Sequence, residues 1–313
     1  MLAYIVRRLF LTLPVMALVA VFVFLLLHLS PGDPAAIMAG ENATSENIAA
    51  IRTKLGLDEP LWKQFALWAF ALLTGDLGQS LFWGDPVTTL IGQRAEPTVS
   101  LALTTISFAV IVAISLGVVA AANPGTWVDR GVMGFAVMGF SLPVFVVGYM
   151  LIFLFAIELK WLPVQGYSRL AEGVVPWLRN LVLPSLALGM AYVALIARIT
   201  RTTMLEVLAE DYIRTGKAKG VANRPLLLRH ALKNAAVPIV TVVGIGVALL
   251  IGGVVITETV FNIPGIGRLV VDAIARRDYP IVQGVIMLFA GLYVLVNLLV
   301  DLSYTLFDPR IRY

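Results

Sequence analysis

The chain has 313 residues, of which 59% are hydrophobic and 13% charged, with a mean hydropathy of +0.91; this balance is far from that of soluble domains and marks an integral membrane protein. Zero cysteines exclude disulfides, thiolate metal sites and cysteine nucleophiles, and two histidines, His28 and His230, leave little for a zinc site. A formal charge of +4 is small for this length and gives no ground for a nucleic-acid partner.

Six segments are apolar enough over a length that can span a hydrocarbon core, which needs about 20 residues at helical rise. Backbone polar groups in lipid must be satisfied internally, so each is expected to be a helix. The first, residues 9–29, follows Arg7 and Arg8. It is longer than a signal-peptide core and ends in HLSPGDP without a small-residue cleavage site, so it reads as an uncleaved anchor. Residues 30–98 follow as a soluble segment, too long for a structureless loop, and short helices packed as an outer cap are expected there. Within it Thr44 and Ser45 are N-cap candidates, and Gly75 and Gly84 mark turns. The apolar run from Leu61 to Leu73 is too short to cross and contains Lys63 and Gln64. It reads as an amphipathic helix on the membrane surface or folded over the bundle.

The remaining spans are expected at 99–122, 132–157, 181–197, 235–256 and 281–300, the fourth being short. Pro14, Pro143, Pro184 and Pro238 each remove a backbone donor and kink a span or mark its end. Pro143, in GFSLPVF, is the candidate for a functional kink. On the fifth span Gly244, Ala248 and Gly252 fall four apart and Gly253 extends the small surface. Gly252 and Gly253 are gate candidates, with packing inside the chain an equal alternative. FNIPGIGRL and DAIARRDYP, between the last two spans, read as a turn and a short surface helix.

An even number of spans puts both termini on one side. With the termini in the cytoplasm, Arg7, Arg8, Arg130, Arg310, Arg312 and the eight basic residues from Arg198 to Lys233 lie inside. The positive-inside rule supports that orientation mainly through the loop at 199–234. In this loop TRTTMLEVLAEDYIRTGKAKG reads as one helix with Leu205, Leu208, Tyr212 and Ile213 on its apolar stripe, ending near Gly220. Asn223, Arg224 and Pro225 restart a second helix. Three readings fit this pattern: an ordinary positive-inside loop, a helix-turn-helix made awkward by the flanking spans, or a lever whose apolar face enters a groove on a partner protein.

The order of motifs distinguishes them. DYIRTGKAKG at Asp211 to Gly220, followed by RHALKNAAVPIVT at Arg229, resembles the cytoplasmic coupling loop in permease subunits of bacterial binding-protein-dependent ABC importers of the dipeptide, oligopeptide and nickel class. The resemblance continues through SPGDP at Ser30, LGLDEPL at Leu55, GDLGQS at Gly75, WLPVQG at Trp161, GGVVITETVFNIPGIG at Gly252, RRDYPIVQG at Arg276 and VDLSYTLFDPRIR at Val300. It covers essentially the whole chain and is similar to the first of the two permeases such systems contain.

What the resemblance implies is an all-α polytopic membrane protein, a type I ABC importer permease with six transmembrane helices, an outer cap and a cytoplasmic helical coupling loop. It implies the bacterial inner membrane with both termini cytoplasmic, and half of a translocation path for di- or oligopeptides delivered by a periplasmic binding protein. Nickel chelates, glutathione and other small solutes are the alternatives. The implied partners are a second permease, two ABC ATPase subunits or a homodimer of one, the binding protein and the lipid bilayer. The loop residues Asp211, Tyr212, Arg214, Gly216, Ala218, Lys219 and Gly220 would dock into the ATPase, with Gly220 as the motif glycine. Relatives commonly carry alanine at the position of Gly216, and a glycine inside a helix costs about 1 kcal/mol, which implies a softer lever.

ATP and magnesium are expected in the partner subunits, because no GxxxxGK[ST] phosphate loop occurs in the sequence and no cofactor is expected in this chain. An ion-coupled carrier would need ionisable groups near the bilayer centre, whereas Glu158, Glu258 and Asp301 sit near span ends. An intramembrane hydrolase is disfavoured because Ser107, Ser115, Ser141 and Ser185 have no histidine at their depth.

Overall fold

A computed structural model describes residues 2–29, 35–36, 44–54 and 56–307. SPGDP, Leu55, Arg310 and Arg312 lie outside the described residues. The longer helices, in chain order, are α1 (Leu2–Leu29), α2 (Ser45–Lys54), α3 (Leu61–Leu73), α4 (Val87–Ala122), α5 (Trp127–Ser141) and α6 (Val144–Leu151). They continue with α7 (Val174–Leu208), α8 (Asp211–Ala218), α9 (Ala236–Val260), α10 (Ile266–Arg276) and α11 (Tyr279–Phe307). Among the described residues the only extended pairing is an isolated bridge between Gln79 and Pro86. The backbone divides into two compact units, Met1–Ala95 with Gly265–Val294, and Glu96–Pro264 with Leu295–Tyr313.

In the first unit, Ala20, Val23 and Met287 form a small core against which Trp68 and Leu72 of α3 pack. Phe24 meets Phe65 edge-on at 5.3 Å and Trp68 at 5.8 Å, so α3 is laid along α1 by an aromatic cluster. Thr44 caps α2 by accepting from Asn47 N at 3.3 Å. Gly75 and Gly84 both turn the chain at positive φ, 83° and 73°. The segment after Gly75 is tied to the start of α11: the Asp278 carboxylate accepts from the Ser80 hydroxyl and from the amides of Leu81 and Phe82, each at 3.1 Å. Arg276 lies over the Phe82 ring at 3.9 Å. The motifs GDLGQS and RRDYPIVQG therefore form one joined structure.

The second unit is built around α7. Leu181, Leu188, Val193 and Ile196 are buried against Leu101 and Ala109 of α4, Val147 beyond α5, and Leu250 and Val254 of α9. Gly117 and Gly189 allow α4 to approach closely: a Cβ at Gly117 would lie 2.6 Å from Thr200 Cβ, and one at Gly189 would lie 2.8 Å from Phe108. Such contacts substitute for hydrophobic drive, which is weak between helices in lipid.

Among the described residues four helices are individually long and apolar enough to cross a membrane: Val87–Ala122, Val174–Leu208, Ala236–Val260 and Tyr279–Leu302. A fifth crossing results if Trp127–Ser141 and Val144–Glu158 count as one, and α1 has a shorter apolar core, Phe10–Leu26. Two helices extend well past the expected spans. α4 starts at Val87 rather than near 99 and continues through Pro97, and α7 covers Val174–Leu208 rather than 181–197. The extra turns carry Gln93, Arg94, Arg179 and Arg201; polar side chains end a hydropathy window but leave intrahelical hydrogen bonding intact. The third expected span, 132–157, is not one rod. It bends by 106° at Leu142–Pro143, where Pro143 has no amide hydrogen to continue the ladder and Leu142 is extended at ψ 129°. Beyond α6 the helix widens into a π-wound turn at Ile152–Glu158.

Candidate coupling site

The stretch expected as one helix from Thr200 to Gly220 is two. α7 ends at Leu208, Ala209 and Glu210 close the turn, and Glu210 takes an extended conformation, ψ 147°, from which α8 restarts. A straight continuation would carry Ile213 away from Met204; the turn instead buries both. Their core includes Val118 and Ala121 from the end of α4, Leu226 and Ala231 from the following helical stretch, and Ile239 from α9. Leu205 and Leu208 pack at its edge from α7. Tyr212 does not share that stripe: it is half exposed, and its phenol oxygen accepts from Asn234 Nδ2 at 2.9 Å.

Only Ile213 and Gly216 of the α8 helix turn inward; Asp211, Tyr212, Arg214, Lys217 and Ala218 are exposed, as are Lys219 and Gly220 beyond its end. Asp211 at the first turn and Lys217 at the last both complement the helix dipole. Arg214 Nη1 lies 3.4 Å from Asp211 Oδ1, with their side chains 73% and 95% exposed, so this pair contributes little and leaves both charges open to a partner. Gly220 ends the helix at φ +80°. Its N–H donates to Lys217 O at 3.0 Å and that of Val221 to Gly216 O at 3.1 Å, the paired closing bonds of a Schellman cap, which favours glycine at this position.

Gly216 has a packing role that sequence does not disclose. A Cβ there would lie 3.1 Å from Leu226 Cδ1, so the missing methyl lets the next helical stretch close on α8. That stretch consists of Asn223–Pro225, a π-wound Leu226–Ala231 and Leu232–Asn234; Pro225 lies in its first turn, where its missing donor is harmless. Two short helical pieces at a turn are therefore present, with the first separated from α7.

Asp129 and Arg201 were not singled out by the sequence reading. The Arg201 guanidinium donates through Nε to Asp129 Oδ1 and through Nη2 to Oδ2, the latter at 2.7 Å. Gly125 N donates to the same carboxylate at 2.9 Å, and Asp129 is buried. This bidentate pair fastens the first turn of α5 to α7 seven residues before α7 ends at Leu208. The available signal was one charge of each sign at the ends of apolar segments, where charges usually pair; their separation in sequence, 72 residues, hides the partnership.

The remaining candidates occupy different surroundings. Pro143 stands at the head of α6. A Cβ at Gly148, one turn on, would lie 3.2 Å from Phe261 and 3.3 Å from Val260, so α6 leans on the end of α9. Gly253 faces α7, where a Cβ would meet Leu188 Cδ1 at 2.6 Å, whereas Gly252 faces open space. Gly244 faces Val300 of α11, with no room for a Cβ. The glycines of α9 thus serve separate contacts and not one stripe. At the end of α9, Thr98 donates to the buried Glu258 at 2.6 Å, and Gly166 N donates to Phe261 O at 3.0 Å, joining WLPVQG to TETVFNIPGIG.

Membrane-length helices with the short helix α8 packed against the ends of α4, α7 and α9 make this a polytopic membrane protein. Its C-terminal part, residues 113–313, matches the family "Binding-protein-dependent transport system inner membrane component", and residues 1–102 match the N-terminal model of the same systems. The chain belongs to this family of transport permeases. It is 59% identical over 310 residues, 99% of each chain, to the "Probable peptide ABC transporter permease protein y4tP" of Sinorhizobium fredii. It is 42% identical over 313 residues, 100% of each chain, to the glutathione transport system permease protein GsiC of Escherichia coli K12. Among solved structures, an inward-facing MetNI methionine ABC transporter aligns with TM-score 0.58 at 16% identity, over 71% of this chain and 97% of that one; at this identity the likeness concerns the fold.

Proposed function

We propose that the chain is one half of the translocation path of an ATP-driven importer for di- or oligopeptides. In this reading six crossings place both termini and α8 in the cytoplasm, and residues 30–98 outside in the periplasm. A second permease completes the path, two ATPase subunits supply ATP and magnesium chemistry, and a periplasmic binding protein delivers the peptide. This chain itself catalyses nothing. The observation that carries the proposal is the disposition of α8: Ile213 is sunk in the bundle while Asp211, Arg214 and Lys217 face outward, as required of a part held by one protein and gripped by another.

ATP can move the path only by favouring one conformation of the permease over another, and α8 is the element through which that preference is transmitted. The chain's lack of cysteine makes the test direct. Lys217→Cys in the assembled transporter should crosslink to an ATPase subunit and react with a membrane-impermeant thiol reagent only from the cytoplasmic side. Proteoliposomes should then accumulate a labelled dipeptide only when ATP and binding protein are present. Labelling from outside, or uptake driven by an ion gradient without ATPases, would contradict the proposal. The similarity to GsiC supports a second reading with glutathione as cargo; glutathione uptake with no peptide uptake would establish it instead.

A further inference from the structure

Between α5 and α7, just beyond the Asp129–Arg201 pair, lies a crevice of about 220 Å³. Met133, Val137 and Phe140 line it from α5, Leu195 from α7, and Arg198 is its one charged residue. Arg198 is exposed and one helical turn from Arg201. Arg201 has a carboxylate partner, while Arg198 has no side-chain hydrogen bond or ion pair among the described residues. A bare guanidinium in a spanning helix is costly at the bilayer centre, so it calls for a headgroup-level position and an anion.

Neighbouring side chains mark that level. Trp127, at the start of α5, is 84% exposed, as suits a membrane–water interface, and Arg130 lies 5.4 Å from its ring centroid. Residues 130, 133, 137 and 140 follow one another along one face of α5. That face passes from charge at the helix start to bare hydrocarbon.

We propose that this crevice holds an anionic phospholipid of the cytoplasmic leaflet, with its phosphate on Arg198 and an acyl chain along Met133, Val137 and Phe140. The charge and the apolar lining occur in the order a lipid presents them, headgroup then chain, and basic pockets between membrane helices on the cytoplasmic side take such headgroups. The leaflet rests on the orientation proposed above, whereas binding itself does not.

The test uses the complete purified transporter in nanodiscs containing phosphatidylglycerol or only phosphatidylcholine, with tightly held lipids counted by native mass spectrometry. The intact chain should retain phosphatidylglycerol over phosphatidylcholine. Arg198→Gln should weaken that retention about fivefold, the attraction lost with one basic side chain at an anionic surface, and Arg198→Lys should keep most of it. Val137→Trp, which fills the crevice at an exposed position and leaves Arg198 intact, should remove the same lipid. Equal retention of the two lipids, or unchanged retention in both Arg198→Gln and Val137→Trp, overturns the proposal. So does loss of the second permease from Val137→Trp with lipid still held, because protein would then fill the crevice. Failure of peptide uptake in the intact transporter would count against the proposed function and leave the lipid count standing.

Discussion

Ile213→Ala is the most informative change. An eight-residue helix is marginal by itself, and the Asp211–Arg214 pair on its surface is too exposed to hold it. The docking of α8 therefore rests largely on Ile213, which is fully buried among Met204, Leu226 and Ala231. Truncating a buried isoleucine to alanine costs about 2–5 kcal/mol. Because α8 can lift from the bundle without disturbing the larger core around Leu188, the loss should fall on its own docking equilibrium. Even the lower figure raises the undocked population about 30-fold. Hydrogen exchange in the purified transporter should show this at residues 211–221, above all at the amides of Gly220 and Val221, whose bonds close the helix. ATP-driven uptake should fall while the transporter stays assembled, and Ile213→Val, costing about 0.5–1.5 kcal/mol, should give an intermediate result. Unchanged exchange at 211–221 would refute the reasoning. So would protection lost equally across the core around Leu188, since Ile213 would then support the whole bundle.

At Gly220 a Cβ has open space, so only the backbone resists substitution; Gly220→Ala should cost about 1 kcal/mol and Gly220→Asn less, read as exchange at Val221. Arg214→Glu removes only the exposed contact with Asp211, so it should abolish crosslinking to the ATPase and coupled uptake with thermal stability little changed. Asp129→Asn leaves Arg201 without its charge partner and should destabilise by about 3 kcal/mol, measured as a lowered unfolding temperature in detergent, whereas Asp129→Leu with Arg201→Met should recover much of the loss. Gly244→Ala should be destabilising by about 1–3 kcal/mol through its collision with Val300, and Gly252→Ala, facing open space, should be nearly silent in the same measurement.

Helix positions were legible wherever a long apolar run coincided with a helix, as at Ala236–Val260, and α3 begins and ends where the apolar run does. Hydropathy did not disclose the real lengths of α4 and α7, because the side chains of Arg94 and Arg201 end an apolar window without interrupting the backbone ladder, and α4 continues past Pro97 despite the donor lost there. Residue order singled out Asp211–Gly220 but placed Tyr212 on the apolar stripe. That error arises from reading as one helix what folds as two: the turn at Ala209 and Glu210 resets the helical phase, directing Ile213 and Gly216 inward and Tyr212 toward Asn234. No proline or glycine marks that turn. Its cause is tertiary, the burial of Ile213 beside Met204.

The same contacts define what must move together when α8 is pushed. Ile213 binds α8 to the ends of α4 and α7 and to the start of α9, and the Asp129–Arg201 pair adds the first turn of α5 to that group. Force applied at Arg214 and Lys217 therefore reaches four membrane helices at their α8-facing ends without passing through a flexible joint. The group loses continuity at Leu142–Pro143, where α5 stops hydrogen bonding onward and α6 departs at 106° to lean on Val260 and Phe261. Within the proposed function, the break is where rigid displacement below becomes reorientation above, since it is the point at which α5 and α6 can change their angle without breaking a regular helical bond. Pro143→Ala tests this division of labour: restoring the amide should stiffen the joint and slow ATP-driven uptake, while crosslinking of Lys217→Cys to the ATPase remains intact. Loss of that crosslink would place the effect of Pro143 in docking and not in the joint.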